Sequence, residues 1–299
     1  MVDSLSGVGF FICLSGLFME SITQAFNRLY NHIKENGYEN SEANTVASYL
    51  FEDVLGIRII HSSEHINEHQ ESQVQDIIKR VSNGEPWQYI SGNINFYGLP
   101  FLINRHVLIP RPETEELVRI SLQAIPKNKI MRILDVGTGS GVIAITLASK
   151  RPDCKVTGID ISSEALEVAQ ENKKKHTLSN VYFQAFDFLN TDLKELNSGF
   201  DVIISNPPYI VEEEKEVMTT STLLFEPTIA LFVRNDALEF YRRIAELALL
   251  QPSVVHIFTE VNEFKAKEVY ALFVEKGFSD VQIIQDMQGK DRIVCAEKK

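Results

Sequence analysis

The chain has 299 residues, 44% of them hydrophobic, and a formal net charge of −12 from 29 basic and 41 acidic side chains. This length suits two domains, and the apolar content is enough for a sizeable core, which argues against disorder. An acidic chain lacks the broad basic face that grips a nucleic-acid backbone, so extended duplex binding is disfavoured, although a local basic patch stays open. The three cysteines, Cys13, Cys154 and Cys295, have no zinc-site spacing, which favours a reduced protein in the cytoplasm.

The first 18 residues differ from the rest of the chain. Residues 8–18 are apolar but too few to span a bilayer. A signal peptide would need basic residues near its start, whereas the first basic residue of the chain is Arg28. We interpret residues 1–18 as a disordered extension, or as lying before a translation start at Met19. A segment that contacts a membrane weakly is the alternative.

Residues 19–92 predict a small helical domain. Apolar residues recur at three- and four-residue steps in three stretches, as expected of amphipathic helices. The first helix should end at Gly37, Ser41 should cap the second, and the third should run from about residue 70 to 81.

Two overlapping stretches of this domain, His61-Ser-Ser-Glu64-His65 and His65-Ile-Asn-Glu68-His69, match the spacing of an inverted zinc-peptidase motif. On a helix, histidines four residues apart would share a face suited to zinc. The stretches are short and polar and have no obvious third ligand. We therefore interpret them as a solvated helix face and expect no metal, with a zinc peptidase as the weakest alternative.

A connector follows the helical domain. Aromatic residues and glycines concentrate over residues 85–101, and alternation over residues 101–108 predicts a hairpin strand, so we expect a β-hairpin linker over residues 93–109. Pro110-Arg111-Pro112 then forms a rigid turn that opens a helix with acidic residues in its first turn, where the helix dipole favours them. This connector could form one wall of an active site.

Residues 110–299 alternate between strand and helix patterns, which predicts an α/β fold with a doubly wound, mostly parallel sheet. A tight turn at Gly289 should join the last two strands as a hairpin, so one terminal strand should run antiparallel. The predicted strands are 130–135, 155–160, 181–185, 200–205, 254–259, 280–285 and 292–297, and the predicted helices are 142–150, 163–174, 236–250 and 263–276.

A glycine-rich loop, Asp135-Val-Gly137-Thr138-Gly139-Ser140-Gly141, follows the first of these strands. Its glycines allow a ligand to approach the backbone closely, and the next helix offers free N–H groups. The spacing is one residue shorter than a dinucleotide fingerprint, and Asp135 would repel a pyrophosphate but attract an ammonium group. S-adenosylmethionine, which carries both an amine and a carboxylate, suits the loop better.

Acidic residues also follow the next two strands. Asp160 lies where an acidic side chain bonds ribose hydroxyls, Asp187 could accept from an adenine amino group, and Phe188 could lie against the adenine ring. Each alone could be a cap or a loop residue. Together with the glycine-rich loop they predict a nucleoside site.

The stretch Asn206-Pro207-Pro208-Tyr209 ends the fourth strand. Its prolines fix the backbone and hold the Asn206 side chain and the Pro207 carbonyl at the carboxyl end of the sheet, where ligands bind. These two acceptors can hold the N–H bonds of a planar NH2 group while its lone pair faces a methyl donor, and Tyr209 can sandwich the flat group. Catalysis would then be chiefly orientation. A strand followed by a proline-rich turn is the plain alternative.

Over residues 19–299 the sequence resembles the release factor glutamine methyltransferases, the PrmC/HemK family. Asn-Pro-Pro-Tyr alone is shared with adenine DNA and several RNA methyltransferases, so the motifs around it carry the resemblance. They are Pro86-x-Gln88-Tyr89-Ile90-x-Gly92, Pro110-Arg111-Pro112-Glu113-Thr114-Glu115, Phe225-Glu226-Pro227-x-x-Ala230-Leu231, Tyr241-Arg242 and Asp286-x-x-Gly289-x-Asp291-Arg292. The sequence departs from the family at Glu260-Val261-Asn262, where Glu-Ile-Gly is usual.

The resemblance implies a Rossmann-like class I methyltransferase domain over residues 110–299, preceded by the hairpin linker and by a helical domain over 19–92 that helps to dock the substrate. The implied reaction moves a methyl group from S-adenosylmethionine, leaving S-adenosylhomocysteine, to N5 of the glutamine in the Gly-Gly-Gln motif of peptide chain release factors. We expect no stable nucleic-acid partner and no membrane. By matching position, residues 137–141, Asp160, Phe188 and Asn206 would contact the cofactor, and residues 206–209 the substrate glutamine.

Two other functions stay open at this stage. An N6-adenine or other amino-group methyltransferase acting on DNA or rRNA fits the same motif, but the acidic charge and the lack of an obvious base-reading domain count against it. A non-catalytic adaptor that only binds the nucleoside would not need the intact stretch from Asn206 to Tyr209.

Overall fold

The computed structural model describes residues 20–58, 64–127, 129–196, 199–233 and 236–298. The predicted extension over residues 1–18, the proposed start at Met19 and the first histidine of the zinc-like pattern, His61, lie outside these residues. The chain divides into two compact units, Met1–Ser82 and Asn83–Lys299. Among the described residues, none of the helices combines the length and the apolar character that crossing a bilayer requires.

The described part of the first unit contains three helices, α1 (Ile22–Glu35), α2 (Asn40–Leu55) and α3 (Glu68–Ser82), each of which buries an apolar face. A capping box starts α1, since the Ser21 hydroxyl accepts from Gln24 N and the Gln24 side chain accepts from Ser21 N. The prediction that Ser41 caps α2 is wrong. That helix begins one residue before Ser41, and its N-cap is Glu39, without a side-chain bond.

In the described part of the stretch that resembles a zinc-peptidase motif, Glu64, His65, Glu68 and His69 are exposed, as predicted, but these residues do not lie on one helix. His65 is exposed and forms an isolated bridge with Ser21, whereas α3 begins only at Glu68 and carries the exposed His69. The two histidines therefore do not share a helix face.

The second unit begins with a short helix, α4 (Trp87–Ser91), and a hairpin of β1 (Asn93–Phe96) and β2 (Leu99–Leu102). Tyr97 and Gly98 both have positive φ, 52° and 74°, as a two-residue hairpin turn requires. The predicted strand over residues 101–108 is wrong beyond Leu102. The chain turns at Asn104, whose carbonyl accepts from Val107 N and whose side chain accepts from His106 N.

A seven-stranded sheet with helices on both faces follows, confirming the predicted fold class. Its strands are β3 (Arg132–Val136), β4 (Lys155–Asp160), β5 (Val181–Ala185), β6 (Val202–Ser205), β7 (His256–Glu260), β8 (Ser279–Gln285) and β9 (Asp291–Glu297). The helices are α5 (Pro112–Ala124), α6 (Val142–Lys150), α7 (Ser163–Lys175), α8 (Thr220–Phe225), α9 (Thr228–Leu231), α10 (Glu239–Leu250) and α11 (Ala266–Glu275). The pair α8 and α9 follows the Asn-Pro-Pro-Tyr stretch and was not predicted.

The strands lie in the order β5-β4-β3-β6-β7-β9-β8. Only β9, the last strand of the chain, runs antiparallel to its neighbours, as the hairpin at Gly289 predicts. Along β6 the side chains alternate between two hydrophobic clusters, because Ile203 packs with α10 and α11 while Val202 and Ile204 pack with α5 and α6. The central strands are therefore buried on both faces.

Gly158 in β4 is the tightest packing point near the glycine-rich loop. A Cβ built there would lie 2.6 Å from Thr138 Oγ1 and 2.7 Å from Phe183 Cδ1. We expect Gly158→Ala to lower the free energy of unfolding of the second unit by roughly 2 kcal/mol through overpacking. Urea unfolding followed by the fluorescence of Trp87, the single tryptophan, measures this unit.

Gly84→Ala is the matched control, since a Cβ there has no described atom within 4 Å and only the positive φ of +75° is strained. We expect a loss of about 1 kcal/mol for it. An equal or smaller loss for Gly158→Ala would contradict the tight packing.

Candidate active site

The two functional stretches predicted from the sequence meet at the centre of the sheet. Strands β3 and β6 are parallel neighbours, with Val136 opposite Ser205, and the strand order reverses between them. The Ser205 hydroxyl donates to the Val136 carbonyl at 2.7 Å, which ties the two strand ends together. The glycine-rich loop after β3 and the Asn-Pro-Pro-Tyr stretch after β6 therefore leave the sheet side by side, at the switch point where open α/β sheets bind ligands.

The glycine-rich loop is shaped to admit a ligand on one side and to pack on the other. Gly137 and Gly139 have positive φ, and a Cβ built on either would meet no described atom within 4 Å. At Gly141, in contrast, a Cβ would lie 2.9 Å from the Phe183 ring. The open side fits close approach of a ligand to the backbone, and the closed side anchors α6.

Asn172 holds this loop from behind. It is fully buried on α7, and its Nδ2 donates to the carbonyls of Ser140, at 3.0 Å, and of Leu102, at 2.9 Å. Its Oδ1 accepts from Leu102 N at 2.7 Å. One side chain therefore links the hairpin to the loop.

Asp135 is a fully buried carboxylate beneath the loop. Its Oδ2 accepts from Thr138 Oγ1 at 2.6 Å and from Ala144 N at 3.2 Å, while Oδ1 has no hydrogen-bond partner among the described residues. Burial raises the pKa of Asp135 to about 7, with the nearby charge of Asp160 acting in the same direction. An incompletely paired carboxylate of this kind suits a cationic ligand group, so these residues fit the ammonium of S-adenosylmethionine.

Asp160 connects the end of β4 to the glycine-rich loop. Its Oδ2 accepts from Gly139 N at 2.8 Å and its Oδ1 from Ser162 N at 3.0 Å. Burial raises the pKa of Asp160. A carboxylate can accept about four hydrogen bonds, so the predicted bonds to ribose hydroxyls are compatible with these contacts.

The third predicted position is already engaged. Asp187 caps a turn, accepting through Oδ1 from Leu189 N and Asn190 N and through Oδ2 from Asn190 Nδ2 at 2.9 Å. Phe188 is 5% exposed and stacks on Phe240, with ring centroids 6.3 Å apart. One face of the ring is therefore filled by protein, which leaves the roles of Asp187 and Phe188 toward adenine as predictions.

Ile161 is a candidate that the sequence reasoning missed. It follows Asp160 directly and is 50% exposed, whereas Ile159, the other isoleucine beside Asp160, is fully buried in β4. A half-exposed branched side chain beside the residue predicted to bind ribose offers an apolar face for a base. An apolar residue after Asp160 was the only signal in the sequence.

A cavity of about 270 Å³ lies at the end of β6. Its lining includes all four residues of the Asn-Pro-Pro-Tyr stretch, together with Leu108 and Arg111 from the connector and Glu260 from β7. The connector thus forms one wall, as predicted. A cavity of this size accepts a side chain or a base.

The far wall of the cavity is formed by the segment around α8 and α9. The Glu226 carboxylate fastens this segment to the connector, since Oε1 accepts from Arg111 at 2.5 Å and Oε2 accepts from Ile109 N at 3.2 Å. The guanidinium of Arg105 also lies over the Phe225 ring, 5.1 Å from its centroid. Two sequence motifs that are 115 residues apart therefore shape one site.

The side chain of Asn206 is held by two residues that the sequence did not single out for chemistry. Its Nδ2 donates to Thr114 Oγ1 at 3.1 Å, and Thr114 Oγ1 donates to Glu260 Oε2 at 2.8 Å. Glu260 is 2% exposed, and burial raises its pKa to about 7. Tyr209 packs against the core beside the cavity, and burial raises its pKa to about 12, so its phenol is neutral at physiological pH.

The departure at Glu260-Val261-Asn262 leaves the loop intact. Asn262 has negative φ, so glycine is not required there, and its Oδ1 accepts from Phe264 N at 3.0 Å while its carbonyl accepts from Lys265 N. The side chain thus stabilises the turn into α11.

Within the described ranges, no group of three or more His, Cys, Asp or Glu side chains has an arrangement that could hold a metal ion.

Comparisons with known proteins give matches over most of the chain. Residues 24–92 match the family description "PrmC N-terminal domain", and residues 127–285 match "Methyltransferase domain". The chain is 37% identical over 282 residues to the "Release factor glutamine methyltransferase" of Bacteroides thetaiotaomicron, covering 91% of this chain and 100% of the relative. It is 35% identical over 285 residues to the protein of the same name from Bacillus subtilis, covering 93% and 98%.

A solved structure shows a similar fold at low sequence identity. The catalytic domain of hMettl16 in complex with the MAT2A 3′UTR hairpin 1 has a TM-score of 0.57 and 15% identity, over 85% of this chain and 90% of that chain.

Asp135 gives a test of the ligand class. Because its pKa is raised to about 7 and an ammonium favours the ionised carboxylate, affinity for S-adenosylmethionine should rise as pH increases from about 5.5 to 7 and then level off. Asp135→Asn should weaken binding at about pH 7.5 by roughly tenfold or more and flatten this pH dependence. Isothermal titration calorimetry measures both.

Methylthioadenosine, which keeps the nucleoside but lacks the amino-acid group, is the matched ligand. Its affinity should be the same across this pH range and in Asp135→Asn. An equal pH dependence for the two ligands would contradict the role of Asp135.

Proposed function

Because the chain belongs to the release factor glutamine methyltransferase family, we propose that it transfers a methyl group from S-adenosylmethionine to the side-chain amide N5 of the glutamine in the Gly-Gly-Gln motif of peptide chain release factors. The observation that carries this proposal is the cavity at the end of β6. There Asn206 and Pro207 line a cavity large enough to admit a glutamine side chain, and β6 and the strand that leads into the glycine-rich loop are neighbours.

Orientation is the main task of the site. A primary amide nitrogen is a poor nucleophile because its lone pair is delocalised into the carbonyl group. Two acceptors, Asn206 Oδ1 and the Pro207 carbonyl, would hold both N–H bonds and stabilise the positive charge that grows on nitrogen. Tyr209 would keep the flat amide in plane.

The bonds change in one displacement. S-adenosylmethionine, when bound, supplies a methyl group on a sulfonium. The amide nitrogen forms the new N–C bond as the S–C bond breaks and its electron pair remains on sulfur, and the methylated nitrogen then releases one proton to solvent. This leaves S-adenosylhomocysteine and N5-methylglutamine.

The cofactor would be bound along the carboxyl ends of β3, β4 and β5. Asp135 would attract the amine, and the glycine-rich loop would approach the amino-acid part through its backbone. The proposed cofactor residues are Asp135, Gly137, Thr138, Gly139, Ser140, Gly141, Asp160, Asp187, Phe188 and Asn206, and the proposed substrate residues are Asn206, Pro207, Pro208 and Tyr209.

The substrate is a whole protein, so more than the cavity takes part. We propose that the helical domain over residues 19–92 docks the release factor and that the work is done in the cytoplasm, where translation ends. An adenine in DNA or rRNA also carries a planar NH2 group, so DNA and rRNA are the alternative substrates to be tested.

Methyl transfer to an intact release factor tests the proposal. With S-adenosylmethionine, the Gly-Gly-Gln peptide recovered after digestion should gain about 14 Da, one CH2 unit, as measured by mass spectrometry. Parallel reactions contain DNA or rRNA. An unchanged peptide mass, or label only in the nucleic acid, would overturn the proposed substrate.

Asn206→Ala tests the clamp, the pair of acceptors formed by Asn206 Oδ1 and the Pro207 carbonyl. Transfer should fall by at least about 100-fold, the usual effect of removing a group that stabilises charge in the transition state, while cofactor binding stays measurable by calorimetry. Asn95→Ala, on the exposed face of the hairpin, is the matched control and should keep full activity. Full activity in Asn206→Ala would contradict the clamp.

A further inference from the structure

We propose that Thr114 and Glu260 are positioning residues that fix which end of the Asn206 amide faces the substrate. This inference rests on the proposed function, because it concerns how the same site holds an NH2 group. Neither residue needs to touch the reacting atoms. Their contribution is to select one of two orientations of the Asn206 side chain that differ by a 180° rotation.

The selection follows from the donors and acceptors available. An ionised carboxylate only accepts hydrogen bonds, so the single hydrogen of the Thr114 hydroxyl must point to Glu260 Oε2, 2.8 Å away. Thr114 Oγ1 can then only accept from Asn206, 3.1 Å away, and the group that faces it must be Nδ2. The other end of the amide, the acceptor Oδ1, is therefore left for the substrate.

The opposite orientation would disable the clamp. If Nδ2 of Asn206 faced the substrate, two donors would oppose the N–H bonds of the incoming amide. The carbonyl of Pro207 alone would remain as an acceptor. The hydrogen bonds from Asn206 to Thr114 and from Thr114 to Glu260 form a relay. The ionised Glu260 carboxylate at its end thus determines whether the site accepts or rejects an NH2 group.

The ionisation of Glu260 is the weak point of the relay. Burial raises its pKa to about 7, Glu113 acts in the same direction, and Arg292 and Arg111 oppose them. The other ionisable groups that face it are the phenols of Tyr209 and Tyr241, and the Tyr241 hydroxyl donates to the Glu260 main-chain carbonyl at 3.0 Å. Protonation of Glu260 would free the Thr114 hydrogen, and both orientations of Asn206 would then be allowed.

The main chain of Glu260 is held by two contacts, which limits the movement of its side chain. Its backbone lies in β7, paired with β9 at Ile293, and the bond from Tyr241 holds the carbonyl. Thr114 lies in the first turn of α5, directly after the proline-fixed turn. Two rigid elements therefore hold the relay, as accurate positioning requires.

Substitutions at Thr114 separate the hydroxyl from the packing. Thr114→Val keeps the shape but removes the bond, so kcat should fall by roughly 10- to 100-fold, the size expected when a positioned group is allowed to move. Thr114→Ser restores the hydroxyl and should stay within about threefold of the unaltered enzyme. Cofactor affinity measured by calorimetry should change much less than kcat in Thr114→Val, because Asn206 is one of ten proposed cofactor residues.

Thr146→Val is the matched control for exchanging a buried threonine. Thr146 is fully buried on α6, and its hydroxyl has no hydrogen-bond partner in the described part of the chain. We expect this variant to keep the activity of the unaltered enzyme, since no bond is lost.

The pH profile identifies Glu260. With cofactor and release factor both saturating, kcat should decrease as pH falls through about 7, because the ionised carboxylate is required. Glu260→Gln should lower kcat severalfold at pH 8 and remove this decrease, since the amide of glutamine does not ionise in this pH range. Saturation with cofactor keeps the separate titration of Asp135 out of the profile.

Two outcomes would overturn the relay while leaving the proposed function intact. The first is that the unaltered enzyme methylates release factors and Thr114→Val has the same kcat. The second is that kcat of Glu260→Gln still decreases as pH falls through about 7, as it does in the unaltered enzyme. Absence of methyl transfer by the unaltered enzyme would instead overturn the proposed function itself.

Discussion

The pairing of β3 with β6 is the constraint on which the site depends. These neighbours lie at the centre of the sheet, where the strand order reverses, and each leads directly into one of the two functional stretches. The bond from the Ser205 hydroxyl to the Val136 carbonyl locks their relative position. A shift of the register by one residue would move each β6 side chain into the hydrophobic cluster on the opposite face and would also displace the loop relative to Asn206, so fold stability and site geometry are specified together.

The two buried carboxylates of this site lower the stability of the folded state when they are ionised. Asp135 and Glu260 both have pKa values raised to about 7, above their ordinary values of 3.8 and 4.5. The folded state therefore binds more protons than the unfolded state in this window, and their contribution to stability decreases as pH rises from about 4 to 7. Groups kept at such a cost cluster at functional sites, which agrees with one lying under the loop and the other in the cavity.

The cavity is assembled from segments far apart in the chain. Thr114 and Glu260 are separated by 146 residues, and Arg111 and Glu226 by 115. Two of the motifs that resemble the family thus act on the cavity, since Arg111 and Glu226 hold its wall and Thr114 holds the Asn206 side chain. The chemistry of the clamp comes from four consecutive residues, but its geometry comes from these distant contacts.

The sequence by itself determined the elements whose signals are local. Strand and helix periodicity predicted the sheet and its antiparallel last strand, and glycine and proline placed the two functional stretches at strand ends. Where a local signal was weak, tertiary contacts decided. The segment of α8 and α9 is held in this way, through Glu226. Residues 103–108, in contrast, turn for a local reason, because Asn104 accepts from His106 N and Val107 N. Only the fold could place Thr114 and Glu260 beside Asn206, because hydrogen-bond direction depends on atoms that meet in space and leaves no periodic trace along the chain.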